Sequence, residues 1–108
     1  MHNFDLEERT LDFSKKMARA CKILQKNIIN IELIRQGFRA GTSIGANYIE
    51  ANDALSKKDF VHRLRIARKE AKETIYWLIL ISETNEGLSK EIQPLIKEAD
   101  ELKRILLQ

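Results

Sequence analysis

The sequence predicts an all-α fold, an up-and-down antiparallel four-helix bundle, and three observations carry that expectation. Apolar residues recur at alternating steps of four and three along four separate stretches, the spacing that lays them on one face of a helix. Charged residues make up 32% of the chain, against 4 Gly and 1 Pro, a balance suited to long solvent-facing helices rather than to sheets with many turns. The seams keep close to a seven-residue repeat and are joined by short connections, which brings neighbouring helices together antiparallel in a left-handed bundle. With 108 residues, 44% of them hydrophobic, the chain fits one domain, 1–108, built on one modest core.

Helix one is expected over about residues 5 to 27, on the seam Leu6, Thr10, Phe13, Met17, Ala20 and Leu24. A short break follows around Asn27 and Asn30, with no Gly or Pro to mark it. Helix two, about 31 to 53, carries Ile34, Phe38, Gly41, Ile44, Tyr48 and Ala51 along one face. Gly37, Gly41 and Gly45 are spaced by four on this helix. Each interior glycine costs about 1 kcal/mol relative to Ala, so close approach of another helix backbone is the expected compensation. The Gly-Thr-Ser-Ile-Gly run lacks the preceding strand and the Lys-Ser/Thr of a phosphate-binding P-loop.

Helix three should start at Lys57, with Ser56 as its N-cap and Asp59 three residues on, as in a capping box. Its seam is Phe60, Leu64, Ala67, Ala71, Thr74, Leu78 and Ile81, running to about Asn85 with Gly87 as the stop. Helix four is expected from about Ser89 on Ile92, Leu95, Ala99, Leu102 and Leu106, with Pro94 tolerable in or near the first turn.

The N-terminus has neither a positive leader nor an apolar run, and no other stretch approaches bilayer length, so the expectation is a cytoplasmic protein with no membrane partner. A lone cysteine, Cys21, suits a reducing compartment and a buried core thiol. Only two histidines are present, His2 and His62, and neither has Cys or acidic partners at ligand spacing. The Glu-x-x-His pattern of bundle metal sites is missing, and His62 sits among Arg63, Arg65 and Arg68, whose charge disfavours taking up another proton. The expectation is no metal, no cofactor and no catalytic residue.

Charge is segregated. Residues 15–26 hold Lys15, Lys16, Arg19, Lys22 and Lys26 with no acid, and residues 57–72 hold seven bases against Asp59 and Glu70, although the whole chain is only +3. On helix three Lys58, His62, Arg65, Lys69 and Lys72 fall on one stripe ending at Tyr76, with Arg68 beside it. A stripe of one sign forgoes the attractions between opposite charges a turn apart and invites a polyanion, RNA or DNA. The competing expectation is a solvated face, partly paired with Glu8, Asp12 or Glu98. Helix two adds a polar line, Arg39, Ser43, Asn47 and Glu50, beside the glycines, which suits a helix or subunit contact or the lining of a site.

These same residues carry a family resemblance. Arg39-Ala40-Gly41-Thr42-Ser43-Ile44-Gly45-Ala46-Asn47, then Glu50-Ala51, Ser56, Asp59-Phe60, Leu64, Ile66-Ala67, Glu70-Ala71, Glu73-Thr74 and Tyr76-Trp77-Leu78 resemble the four-helix-bundle family named after the proteins encoded in 23S rRNA intervening sequences. The motif covers the middle third of the chain, and length and helix order agree over nearly all of it. Gly45 stands where relatives often carry proline, and Glu50-Ala51-Asn52 replaces a common Glu-Gly turn, which marks a divergent branch. The resemblance implies a ring-like homopentamer with a central channel and no known enzymatic activity. It extends to the accessory variability proteins of retroelements, basic pentamers that work with a reverse transcriptase and nucleic acid. Two readings result: an oligomeric, nucleic-acid-associated accessory protein, or a scaffold that recruits a protein partner with no nucleic-acid role.

Overall fold

The computed structural model describes residues 5–107. His2 lies outside the described residues. The chain forms α1 (Leu6–Ile23), α2 (Ile28–Asn52), α3 (Lys57–Thr84), a 3₁₀ turn (Glu86–Leu88) and α4 (Ser89–Ile105), with no strand among the described residues. Each helix packs on two neighbours, α1 on α2 and α4, α3 on α2 and α4, without diagonal contacts. Gly41 faces Met17 while Gly45 faces Thr10, and Gln93 of α4 reaches Ser82 of α3, so successive helices run antiparallel.

Three helices begin where a side-chain oxygen satisfies a free backbone N–H. Asp5 accepts from Glu7 N at 3.0 Å, Asn27 from Asn30 N at 2.8 Å, and Ser56 from Asp59 N at 3.0 Å. The Ser56 start of α3 is as the sequence predicts. The first break comes earlier than expected: α1 ends at Ile23 rather than near 27, and α2 starts at Ile28, capped by Asn27, rather than near 31. At the far end Gly87 is not the stop: Asn85 caps α3, its amide donating to Ile81 O at 3.0 Å. Pro94 lies in the second turn of α4, deeper than expected, with its ring side exposed so that only its missing N–H is lost.

The core holds Phe13, Met17, Leu24, Leu33, Ile44, Leu78, Ile81, Ile92, Leu95, Leu102 and Leu106. Two seam expectations fail: Phe38 is 40% exposed and Phe60 37% exposed. In α2 the buried line is instead Leu33, Gly37, Ala40, Gly41, Ile44, Gly45 and Ala51. Two hydroxyls sit in the core by donating to their own helix, Thr10 to Leu6 O at 2.8 Å and Thr74 to Glu70 O at 2.7 Å. Buried Asn30 and half-buried Asn85 exchange a pair of amide hydrogen bonds at 3.0 and 2.9 Å, tying the start of α2 to the end of α3. On the opposite seam Arg9 of α1 donates to both carboxylate oxygens of Glu98 (2.7 and 2.9 Å) and to Glu101 (2.7 Å) of α4.

The glycine stripe is a helix contact inside the chain. A β-carbon on Gly45 would lie 2.9 Å from Thr10 Oγ1 and 3.0 Å from Thr10 Cβ, and one on Gly41 would lie 2.9 Å from Met17 Cγ. At Gly37 the nearest atoms, of Ile81 and Trp77, are an ordinary 3.5 Å away. Gly37→Ala is therefore expected to stabilise the fold by up to about 1 kcal/mol through helix propensity. Gly45→Ala meets a Thr10 side chain already bonded to its own backbone and should destabilise by about 1–3 kcal/mol. Urea unfolding of the two variants checks the opposite signs.

Candidate functional site

The basic residues of α3 come from two adjoining strips of its outer surface. Arg65, Lys69 and Lys72 recur by four and three on the solvent side, and Arg68 lies beside them toward α4. Because α4 runs antiparallel to α3, its C-terminal end arrives alongside the first half of α3. Lys103, Arg104 and Leu107 there face Arg65, Arg68, Lys69 and Lys72 across an open cleft of about 590 Å³. Six cations and no carboxylate line it. Bases in the last turn of α4 also suit the partial negative charge of a helix C-terminus.

Sequence reasoning missed Lys103 and Arg104. The signal was available, since a basic pair closing helix four must lie beside the start of helix three in an antiparallel bundle. Lys58 and His62 are exposed on the α3 face nearer its N-terminus and do not line the cleft. None of the six α3 candidates has an ion-pair partner within 4.0 Å among the described residues. Of the carboxylates expected as partners, Asp12 pairs with Lys16 at 3.0 Å and Glu98 with Arg9 at 2.7 Å, and Glu8 pairs with none of the α3 bases. One acid does touch the α4 side of the cleft: Asp100 holds Lys103 at 3.4 Å and Arg104 at 2.9 Å.

The polar line of α2 is placed differently. Ser43 Oγ donates to Arg39 O at 2.7 Å and Asn47 Nδ2 to Ser43 O at 2.9 Å, so these bonds stay within α2 and bridge to no other helix. Arg39 and Ser43 join Gln36, Glu70, Glu73 and Trp77 around a shallow cleft of about 240 Å³ between α2 and α3; Asn47 and Glu50 lie outside it. Gly37, Gly41 and Gly45 face inward and contribute nothing to this surface. Partial burial, reinforced by Glu73, raises the Glu70 carboxyl above its ordinary value against the opposing pull of Lys69 and Arg39. Among the described residues no three His, Cys, Asp or Glu side chains converge as a metal site. No helix there is long and apolar enough to cross a membrane.

The model of the 23S rRNA-intervening sequence protein family matches residues 2–108. The chain belongs to that family. A solved relative, a protein of unknown function from the S23 ribosomal protein family of Bacteroides thetaiotaomicron VPI-5482, is 32% identical, with a TM-score of 0.85 over 95% of each chain. No curated protein matches. This intervening-sequence family member thus shares its bundle with a relative whose role is equally open, and its function has to be argued from its own surface.

The raised folded pKa of Glu70 means that folding disfavours its charged form. Glu70→Gln is expected to raise Tm at neutral pH. The gain should vanish as pH falls below the unfolded carboxylate pKa of about 4.3, where both states are protonated. Thermal melts across that range check it.

Proposed function

We propose that this chain is a non-enzymatic, self-associating accessory protein that binds the phosphate backbone of nucleic acid through the cleft between α3 and the end of α4. The single observation that carries the reading is the convergence of six cations from two helices on one open cleft whose lining has no carboxylate. Like charges brought this close repel one another, and a polyanion removes the repulsion while releasing its own counterions. Solvated lysines on one helix need no such meeting with a second helix.

Self-association is supported by a separate face. Ile31, Phe38 and Ile49 are exposed at spacings of seven and eleven, which puts three large apolar side chains on one outward line of α2. The resemblance described above implies five copies, and repetition around a ring would multiply the basic cleft into a strongly electropositive surface. The scaffold reading without nucleic acid draws on the same apolar line and leaves the cleft unexplained.

Binding to single- and double-stranded oligonucleotides, measured at about 50 and 200 mM salt, tests the proposal. Affinity should fall steeply with salt, and reversing Arg65, Lys69 and Lys72 to Glu should weaken it by about 100-fold or more with an unchanged helical spectrum. No binding at the lower salt would overturn the reading. Asp100→Asn frees Lys103 and Arg104 and should tighten binding about threefold at low salt, an effect that fades as salt screens it.

A further inference from the structure

We infer that the cleft selects single-stranded over double-stranded nucleic acid, with Tyr76 stacking an unpaired base where the line of cations ends. This inference rests on the phosphate-binding reading above and sharpens its ligand. Tyr76 follows Lys72 by four residues on the same face of α3, about 6 Å farther along the axis. Its side chain is 59% exposed. From here the face turns apolar, with Ile79 also exposed one turn on.

The Tyr76 ring is held in place without being covered. It meets Trp77 edge-to-face, with centroids 5.1 Å apart and planes at 82°. Trp77 in turn packs against the core, so the tyrosine leans on an anchored neighbour while most of its surface stays open to solvent. An ordered aromatic ring beside a row of cations supplies both parts of a single-strand site, a charged track for phosphates and a flat surface for a base.

A duplex can use only the first part. Its base faces are already stacked on one another and offer nothing to Tyr76. The major groove, about 12 Å wide, admits one α-helix. Here α3 lies side by side with both α2 and α4, whose flanks would meet the duplex backbones before its outer face could seat deep in that groove. An unpaired strand lies along the cleft and turns a base onto the ring without either obstacle.

The test compares an oligothymidylate of about 20 nucleotides with a duplex of about 20 base pairs, titrated into the full chain and its Tyr76→Ala, Tyr76→Phe and charge-reversed variants. The wild type should bind the single strand more tightly, and that strand should quench Trp77, the chain's one tryptophan. Tyr76→Ala should weaken single-strand binding about 5- to 100-fold, leave duplex binding within about twofold and keep the salt slope. Tyr76→Phe should stay within about twofold of wild type because it keeps the ring. An unchanged single-strand affinity in Tyr76→Ala, or equal losses for both nucleic acids, overturns the inference. If the charge reversals abolish binding while Tyr76→Ala does nothing, only the stacking falls. If the wild type binds neither probe at low salt, the phosphate reading falls with it.

Discussion

The approach of α2 to α1 is the constraint on which the rest of the bundle depends. Gly41 and Gly45 leave no room for a β-carbon, and Met17 and Thr10 occupy the space that such carbons would take. A residue as large as alanine at Gly45 would push against a threonine fixed by its own hydrogen bond to Leu6. This closeness compensates for the poor helix propensity of the stripe. It also fixes α2, against which α3 makes its most extensive packing. The Asn30–Asn85 amide pair then sets how far α3 slides along α2, since slipping by a turn would part the buried Asn30 amide from its partner on α3. With α3 pinned in that register, its cations can only face outward and toward the end of α4.

The charge distribution follows from the same frame. The three acids in the second half of α4 are divided between two tasks: Glu98 and Glu101 hold Arg9 of α1, while Asp100 steadies its own helix end. None reaches the cations of α3. The α3 cations therefore keep their charge unpaired on folding, while Asp100 offsets part of the α4 side, although the chain as a whole is only +3. Exposure keeps the repulsion tolerable, because water and salt screen it until a ligand replaces them.

Much of the fold was legible because periodicity reports burial directly. The seams of α1 and α4 match their buried faces, and Ser56 marked the start of α3 by its capping chemistry. The reading of α2 slipped toward Phe38 for a physical reason. Its true core face is mostly glycine and alanine between Leu33 and Ile44, and these carry little hydropathy, so the large apolar residue beside it dominated the pattern. The end of α3 near Asn85 was legible, but its stop was assigned to Gly87, whereas the Asn85 side-chain amide closes the helix. Of the basic site, the α3 half could be read from spacing alone. The α4 half shows in no local pattern and emerges only when the basic end of helix four is combined with the antiparallel topology.

Cys21, one turn beyond Met17 on α1, acquires a use from its position. It is the only thiol, it is buried, and burial lifts its pKa despite the counteracting charge of Lys26, so it stays protonated and shielded while the helices are closed. Alkylation of this sulfur is consequently gated by the lifting of α1 from its neighbours. The labelling rate becomes a clock for that opening, able to separate a detached first helix from loss of the whole bundle and to register whether assembly or an occupied cleft slows it.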